Sequence, residues 1–250
     1  MASQTVVLIT GAGRGIGKAL ATSYLGRDNT IVVAAIRKAA SAEALSSIPK
    51  GNNSKLIVVH IDSSEEKSAT AAVHELVSKH SIDHLDIVIA NAGIIEDYSP
   101  VANLPLNVLK HHVEVNSYGP LLLFQATLPL LEKASSPAKF IAIGSPSGSI
   151  STIETRPFPV AAYGISKAAV HYIVRKIHVE HHEIIAFVVD PGFVQTESGN
   201  SAAVAFGLKE APTTIADSTK FLISTIEGAT KEKTSGHFPS MLLQGGDFAW

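Results

Sequence analysis

Tyr163 and Lys167, four residues apart in the run Tyr-Gly-Ile-Ser-Lys, carry the first chemical signal in the chain. They open a helical stretch that continues through Ala168, Ala169, Val170 and Ile173. Residues at that spacing project from one helix face, a turn apart. An ammonium beside a phenol favours the phenolate, so the pair predicts a Tyr163 pKa drawn down from its usual value of roughly 10 toward neutrality. Such a group can give or take a proton in catalysis. A tyrosine ring packed on a lysine stem is the plain alternative, and the upstream residues weigh against it.

Residues 5–10, Thr-Val-Val-Leu-Ile-Thr, suit a strand buried on both faces. They lead through Gly11-Ala12-Gly13-Arg14-Gly15-Ile16-Gly17 into a helical run over 18–25. In that context glycines let the backbone approach a pyrophosphate, while the helix N-terminus supplies free N–H groups and a positive dipole end. The spacing is T-G-x-x-x-G-x-G rather than G-x-G-x-x-G, because Ile16 stands sixth from Gly11. A purely structural turn is the lesser reading. The second strand, 30–36, ends in Ala34-Ala35-Ile36 and then Arg37-Lys38. An NAD site would place a carboxylate about 20 positions beyond the glycines, and none stands there. Arg14 and Arg37 would instead receive a phosphate monoester on the ribose, which predicts NADP(H). The competing view has Arg37 and Lys38 only solvating a strand end.

The third strand, 55–61, ends at Asp62-Ser63. Asp62 is placed to meet an adenine amino group, to cap the next helix (64–80), or both. A fourth strand, 85–90, delivers Asn91-Ala92-Gly93, small enough for the adenosine ribose to lie against the sheet edge. A helix over 106–131, bent near Gly119-Pro120, contains Asn116, a poor helix former whose position asks for a reason. The fifth strand, 139–144, brings Ser145-Pro146-Ser147 to its carboxyl end, and a polar, proline-bearing loop over 149–159 leads on to Tyr163. His178, His181 and His182 close the Tyr163 helix. Their spacing admits a metal, but imidazoles at a helix C-terminus are the preferred reading and no metal is expected. A sixth strand, 183–190, precedes Pro191-Gly192-Phe193-Val194-Gln195-Thr196. The Ser-, Gly- and Ala-rich residues 197–211 read as a mobile substrate lid, spanning about 193–212 with its flanks. A helix (213–227) and a last strand (237–243) follow, and Phe248 and Trp250 are expected to pack on a subunit or on the site.

Strands alternate with helices, and no Pro/Gly linker divides the chain. The pattern predicts one α/β domain over 1–250, a doubly wound, seven-stranded parallel sheet with helices on both faces. With 46% hydrophobic and 17% charged residues, a large core is expected and disorder is not. A net charge of -2 without a basic block argues against a nucleic-acid partner. The absence of cysteine excludes disulfides, thiol catalysis and cysteine-ligated metals. No apolar run approaches membrane-spanning length, so a soluble, cytoplasmic protein is expected.

Together these motifs resemble the short-chain dehydrogenase/reductase family over essentially the whole chain. The elements that match are T-G-x-x-x-G-I-G at 10–17, N-A-G at 91–93, Asn116, Ser145, Y-x-x-x-K at 163–167 and P-G at 191–192. The runs from Arg156 to Ala169 and from Pro191 to Glu197 look most similar to fungal norsolorinic acid ketoreductase-like members. The resemblance implies a Rossmann-type domain and an NADPH-dependent carbonyl reductase; the alternatives are a redox-inactive dinucleotide-binding regulator and an enzyme of a non-redox cyclisation on the same fold. It implies that Tyr163 protonates the carbonyl oxygen while the nicotinamide gives hydride to carbon. Lys167 would lower the Tyr163 pKa and hold the nicotinamide ribose, Ser145 would bind the substrate oxygen, and Asn116 would hold a water that passes protons through Lys167. Thr196 would bind the carboxamide, and Gly11, Arg14, Gly15, Ile16, Gly17, Asp62, Ser63, Pro191, Gly192 and Val194 would line the rest of the cofactor site. Ser147 is a second candidate serine; Ser145 matches the family position. Phe158, Ile94, Tyr98 and Phe193 suggest a sizeable apolar or aromatic ketone, and the family implies a homodimer or homotetramer.

Overall fold

The computed structural model describes residues 4–38 and 40–250. Six strands form one parallel sheet: β1 (Thr5–Thr10), β2 (Thr30–Ile36), β3 (Lys55–His60), β4 (Ile87–Ala90), β5 (Lys139–Ile143) and β6 (Ile185–Val189). Their order is β3-β2-β1-β4-β5-β6. Side chains alternate between two buried layers, as a period of two requires. Leu8, Val33, Val88, Phe140 and Val188 face one way, and Ile9, Val32, Ile89, Ile141 and Phe187 face the other. Helices α3 (Ser68–His80), α5 (Gly119–Leu131) and α6 (Ala161–Glu180) cover the first layer. Helices α1 (Gly15–Leu25), α2 (Ala40–Ser46) and α8 (Ile215–Gly228) cover the second. The strand order reverses between β1 and β4, and the crevice beyond their carboxyl ends is where open parallel sheets bind ligands.

The seventh strand expected over 237–243 is only a partial one. The segment runs beside β6, with the Val188 amide donating to the His237 carbonyl and the Asp190 amide to the Pro239 carbonyl. Pro239 has no N–H to return to the neighbouring Val188 carbonyl, so the pairing is reduced to an isolated bridge between Asp190 and Ser240.

The helix expected over 106–131 is α4 (Leu106–Val113) joined to α5 by a π turn at Glu114–Tyr118. The Gly119 amide reaches back five residues to the Glu114 carbonyl. Pro120 has no N–H to offer the Asn116 carbonyl, four residues before it, as an α-helix requires. Helix α3 starts at Ser68 rather than at 64, after a turn in which the Glu65 amide meets the Asp62 carbonyl. The stretch expected as a lid contains a helix, α7 (Glu197–Ala205). No helix among the described residues is long and apolar enough to cross a membrane.

Candidate active site

A cavity of about 670 Å³ runs over the carboxyl edge of the sheet from the glycine turn to the start of α6. At the glycine end Gly15 has a φ of +54°, a conformation that side chains resist, and its α-carbon faces the Thr196 side chain. A Cβ on Gly17 would come within 2.4 Å of the Gly11 carbonyl and 2.5 Å of the Asn91 amide. Gly17 therefore lies beneath the turn, outside the cavity lining, while Gly11, Gly15 and Ile16 line it. Asn91 ties the turn to β4: its amide donates to the Thr10 carbonyl at 2.8 Å. The Thr10 hydroxyl in turn accepts from the Asn91 and Ala92 backbone amides, both at 3.0 Å. Thr10 is thus the residue that joins the two strands at the crevice, a role its place in the glycine motif only hinted at. Ala92 and Gly93 line the cavity beside it.

Arg37 lines the cavity near Asp62 and Ser63. Burial alone would raise the Asp62 carboxyl, but hydrogen bonds from the Ser64 hydroxyl and amide, with Arg37 and His60 nearby, hold it below its ordinary value. Asp62 therefore caps a turn rather than α3, and the Arg37 charge remains at the cavity wall. Arg14, expected to face the same phosphate, is instead paired with Glu197 at the first turn of α7. That pair and the Gly15–Thr196 contact bring the glycine turn and α7 together across the cavity. Thr196 caps α7, its hydroxyl accepting from the Gly199 amide at 3.0 Å. Pro191, Gly192 and Val194 lead into it along the cavity wall. Glycines whose Cβ would collide, a helix N-terminus and an arginine without a competing acidic residue at the β2 end form a donor set that fits a dinucleotide carrying a ribose phosphate.

At the other end the cavity meets Ser145, Tyr163 and Lys167. Ser145 follows β5 in an extended conformation, and its hydroxyl accepts from the Ser147 amide at 3.2 Å. Its backbone amide donates to the His171 imidazole at 3.3 Å. Burial pushes the His171 imidazole down to about 3, with the Lys167 charge adding to the effect, so this ring is neutral. His171, one turn beyond Lys167, was not singled out by its sequence position. The Lys167 ammonium donates to the Ile143 carbonyl at 2.8 Å and stands 5.5 Å from the centre of the Tyr163 ring.

The low Tyr163 pKa expected from the Tyr-Lys spacing is opposed by burial. Burial pushes the phenol up to about 12, the Ser145 hydroxyl opposes this and the buried Asp190 reinforces it. The residue keeps part of its surface open to the cavity, but its hydroxyl is firmly protonated. Burial also pushes Lys167 down to about 8. Spacing on a helix reports proximity; desolvation of both groups outweighs it here.

Asn116 lies behind the cavity, not on it. Its side-chain oxygen accepts from the Ile94 amide at 2.8 Å, and its amide group donates to the Ile94 carbonyl and the Ser166 hydroxyl, both at 2.9 Å. The side chain is fully occupied in joining the loop after β4 to α6. Two of the three histidines considered for a metal are engaged structurally: His178 with the Ser235 hydroxyl at 2.8 Å, and His181 edge-on to Phe124 at 5.1 Å. Phe248 and Trp250 pack against Phe238 on the same chain, beneath the Ser145 end of the cavity.

The sequence profile of the family described as short chain dehydrogenase matches residues 5–204. The norsolorinic acid ketoreductase of Dothistroma septosporum is 47% identical over 238 residues, which is 94% of this chain and 89% of that one. The norsolorinic acid ketoreductase of Aspergillus parasiticus is 44% identical over 94% of this chain and 88% of that protein. Among solved structures, the NADPH-bound carbonyl reductase from chicken fatty liver superposes with a TM-score of 0.85 at 27% identity, covering 99% of this chain and 95% of that one.

Proposed function

The chain belongs to the short chain dehydrogenase family, and from that premise we propose that it is an NADPH-dependent carbonyl reductase acting on a sizeable aromatic or polyketide-type ketone. One observation carries the reading: a single cavity joins a phosphate-binding glycine turn and Arg37 to a protonated Tyr163 with Ser145 beside it. NADPH, when bound, supplies the hydride for the carbonyl carbon. Tyr163 supplies the proton for the carbonyl oxygen, which its raised pKa equips it to hold at neutral pH. Ser145 donates a hydrogen bond to that oxygen as negative charge develops on it. Lys167, buried and charged below pH of about 8, stabilises the tyrosinate left behind. Asn116 positions the loop after β4 through its side chain, and a water held at Asn116 would pass protons on toward Lys167.

The ketoreductase names of the fungal relatives and the aromatic side chains Phe158, Phe193 and Phe206 on the cavity wall support the substrate class. We further propose that residues 1–250 act as one cytoplasmic domain, with 193–212 closing over substrate. Assembly as a dimer or tetramer would use the helices bearing Asn116 and Tyr163, where Tyr118 and Tyr172 are 54% and 69% exposed. The test is NADPH consumption measured against alcohol formed for a panel of aromatic ketones. Tyr163→Phe is expected to lower kcat by roughly 10²–10⁴-fold while still binding NADPH. A variant that kept the wild-type rate, or product formed without NADPH loss, would defeat the mechanism and favour a non-redox reaction.

A further inference from the structure

Arg156 is a cation of the cavity that the proposed reduction does not use. It stands in the loop before α6 and lines the cavity away from the glycine turn. Its Nε is buried without a hydrogen-bond partner, and its guanidinium forms no ion pair among the described residues. Asp190, whose carboxyl feels the Arg156 charge, is already committed: it accepts from the Ser240 hydroxyl at 2.6 Å and the Gly192 amide at 3.0 Å. Phe248 holds the guanidinium from below, the ring centre lying 4.7 Å from its central carbon. A partly buried guanidinium with unused donors is costly unless something supplies acceptors.

Aromatic rings gather at the same end of the cavity. Phe206, at the end of α7, stacks on Phe158 at 4.5 Å with planes 29° apart, and meets Phe193 at 6.3 Å. These rings come from three separate segments, so the wall exists only in the folded chain. Flat rings offer area to a flat ligand, and a guanidinium fork matches an oxygen with exposed lone pairs.

We infer that Arg156 orients the substrate by binding an anionic or hydrogen-bond-accepting oxygen on a planar aromatic ketone, other than the carbonyl that Tyr163 and Ser145 address. This rests on the reductase reading and adds the polar half of the substrate to it. Guanidinium recognition of a carboxylate or phenolate is shared chemistry, so a carboxylate serves as the probe.

The experiment compares 6-acetyl-2-naphthoate with 2-acetylnaphthalene as substrates for wild type, Arg156→Met and Arg156→Lys, and measures 2-naphthoate binding by calorimetry in the presence of NADP⁺. Melting temperatures report whether each variant is folded. Arg156→Met is expected to lower kcat/KM for the naphthoate ketone at least ~10-fold more than for the neutral one, mainly through KM, as loss of a charge-assisted hydrogen bond implies. Its 2-naphthoate affinity should fall by a similar factor, with Arg156→Lys recovering part of the loss. Equal losses on both ketones with unchanged naphthoate affinity overturn the inference. If the wild type oxidises no NADPH with either ketone yet binds 2-naphthoate through Arg156, the reductase reading fails and the oxyanion site stands.

Discussion

Burial sets opposite protonation behaviour in two residues a turn apart on α6, with Tyr163 pushed up to about 12 and Lys167 down to about 8. A lysine whose folded pKa lies below its unfolded value binds fewer protons when folded. The stability it removes at neutral pH therefore returns as pH rises from about 8 toward its ordinary 10.5. Tyr163 and Tyr24, both raised to about 12, have the opposite sign and withdraw stability as pH climbs above their ordinary 10.0. Urea unfolding should thus show wild type gaining on Lys167→Met between pH 8 and 10, by roughly 2 kcal/mol. A difference that stays flat across that interval would rule out the buried-ammonium account. At the cofactor end, Arg37→Ala should weaken NADPH binding roughly 10–100-fold and leave NADH much less affected; equal losses for both would mean that Arg37 does not meet the ribose phosphate. The Tyr-Lys pair and the absent β2 carboxylate were legible in the sequence because they depend on spacing and residue type. The direction of the Tyr163 shift was not, because it depends on how much water the folded chain removes.

Helix α7 shows what an element adds to a residue. Residues 197–211 read as a mobile Ser-, Gly- and Ala-rich lid, yet Thr196 and Glu197 supply a cap and an acidic first turn, and a helix forms. Once formed, α7 carries Glu197 to Arg14, on the opposite side of the cavity. Both side chains are largely exposed, at 68% and 75%, so the pair is weak and salt-sensitive. Glu197→Gln should free Arg14 for the cofactor phosphate and tighten NADPH binding by about 2–5-fold at low salt, an advantage that fades at high ionic strength. Unchanged or weaker binding would show that Arg14 does not compete between the two. The π turn at Glu114–Tyr118 was foreshadowed by Asn116 and Pro120, although the bend was expected at Gly119-Pro120 itself. Pattern alone could not say that the extra residue in the turn would direct Asn116 toward Ile94 and Ser166.

For the whole molecule, both ends of the cavity are built on the carboxyl edge of one sheet. A ligand that binds only the folded chain stabilises it by about 2.7 kcal/mol at a concentration of 100 Kd. For a chain of this size that predicts a rise in melting temperature of roughly 5–10 °C with saturating NADPH. NADH at the same concentration should raise it clearly less. Equal shifts would remove the argument for NADP(H) selectivity without touching the fold.

By itself the sequence determined the alternation of strands and helices, the glycine turn, the missing acid at the end of β2 and the Tyr163–Lys167 spacing, since each is set by local residue type and order. Tertiary structure decided the rest. It reduced the seventh strand to a bridge, because Pro239 meets a carbonyl that only the neighbouring β6 presents. It engaged Arg14 with Glu197, set His171 behind Ser145, and gathered Phe158, Phe193 and Phe206 around a cavity that also holds Arg156. These pairings join residues far apart in the chain, and no local periodicity encodes which of them the folded sheet will bring within reach or strip of water.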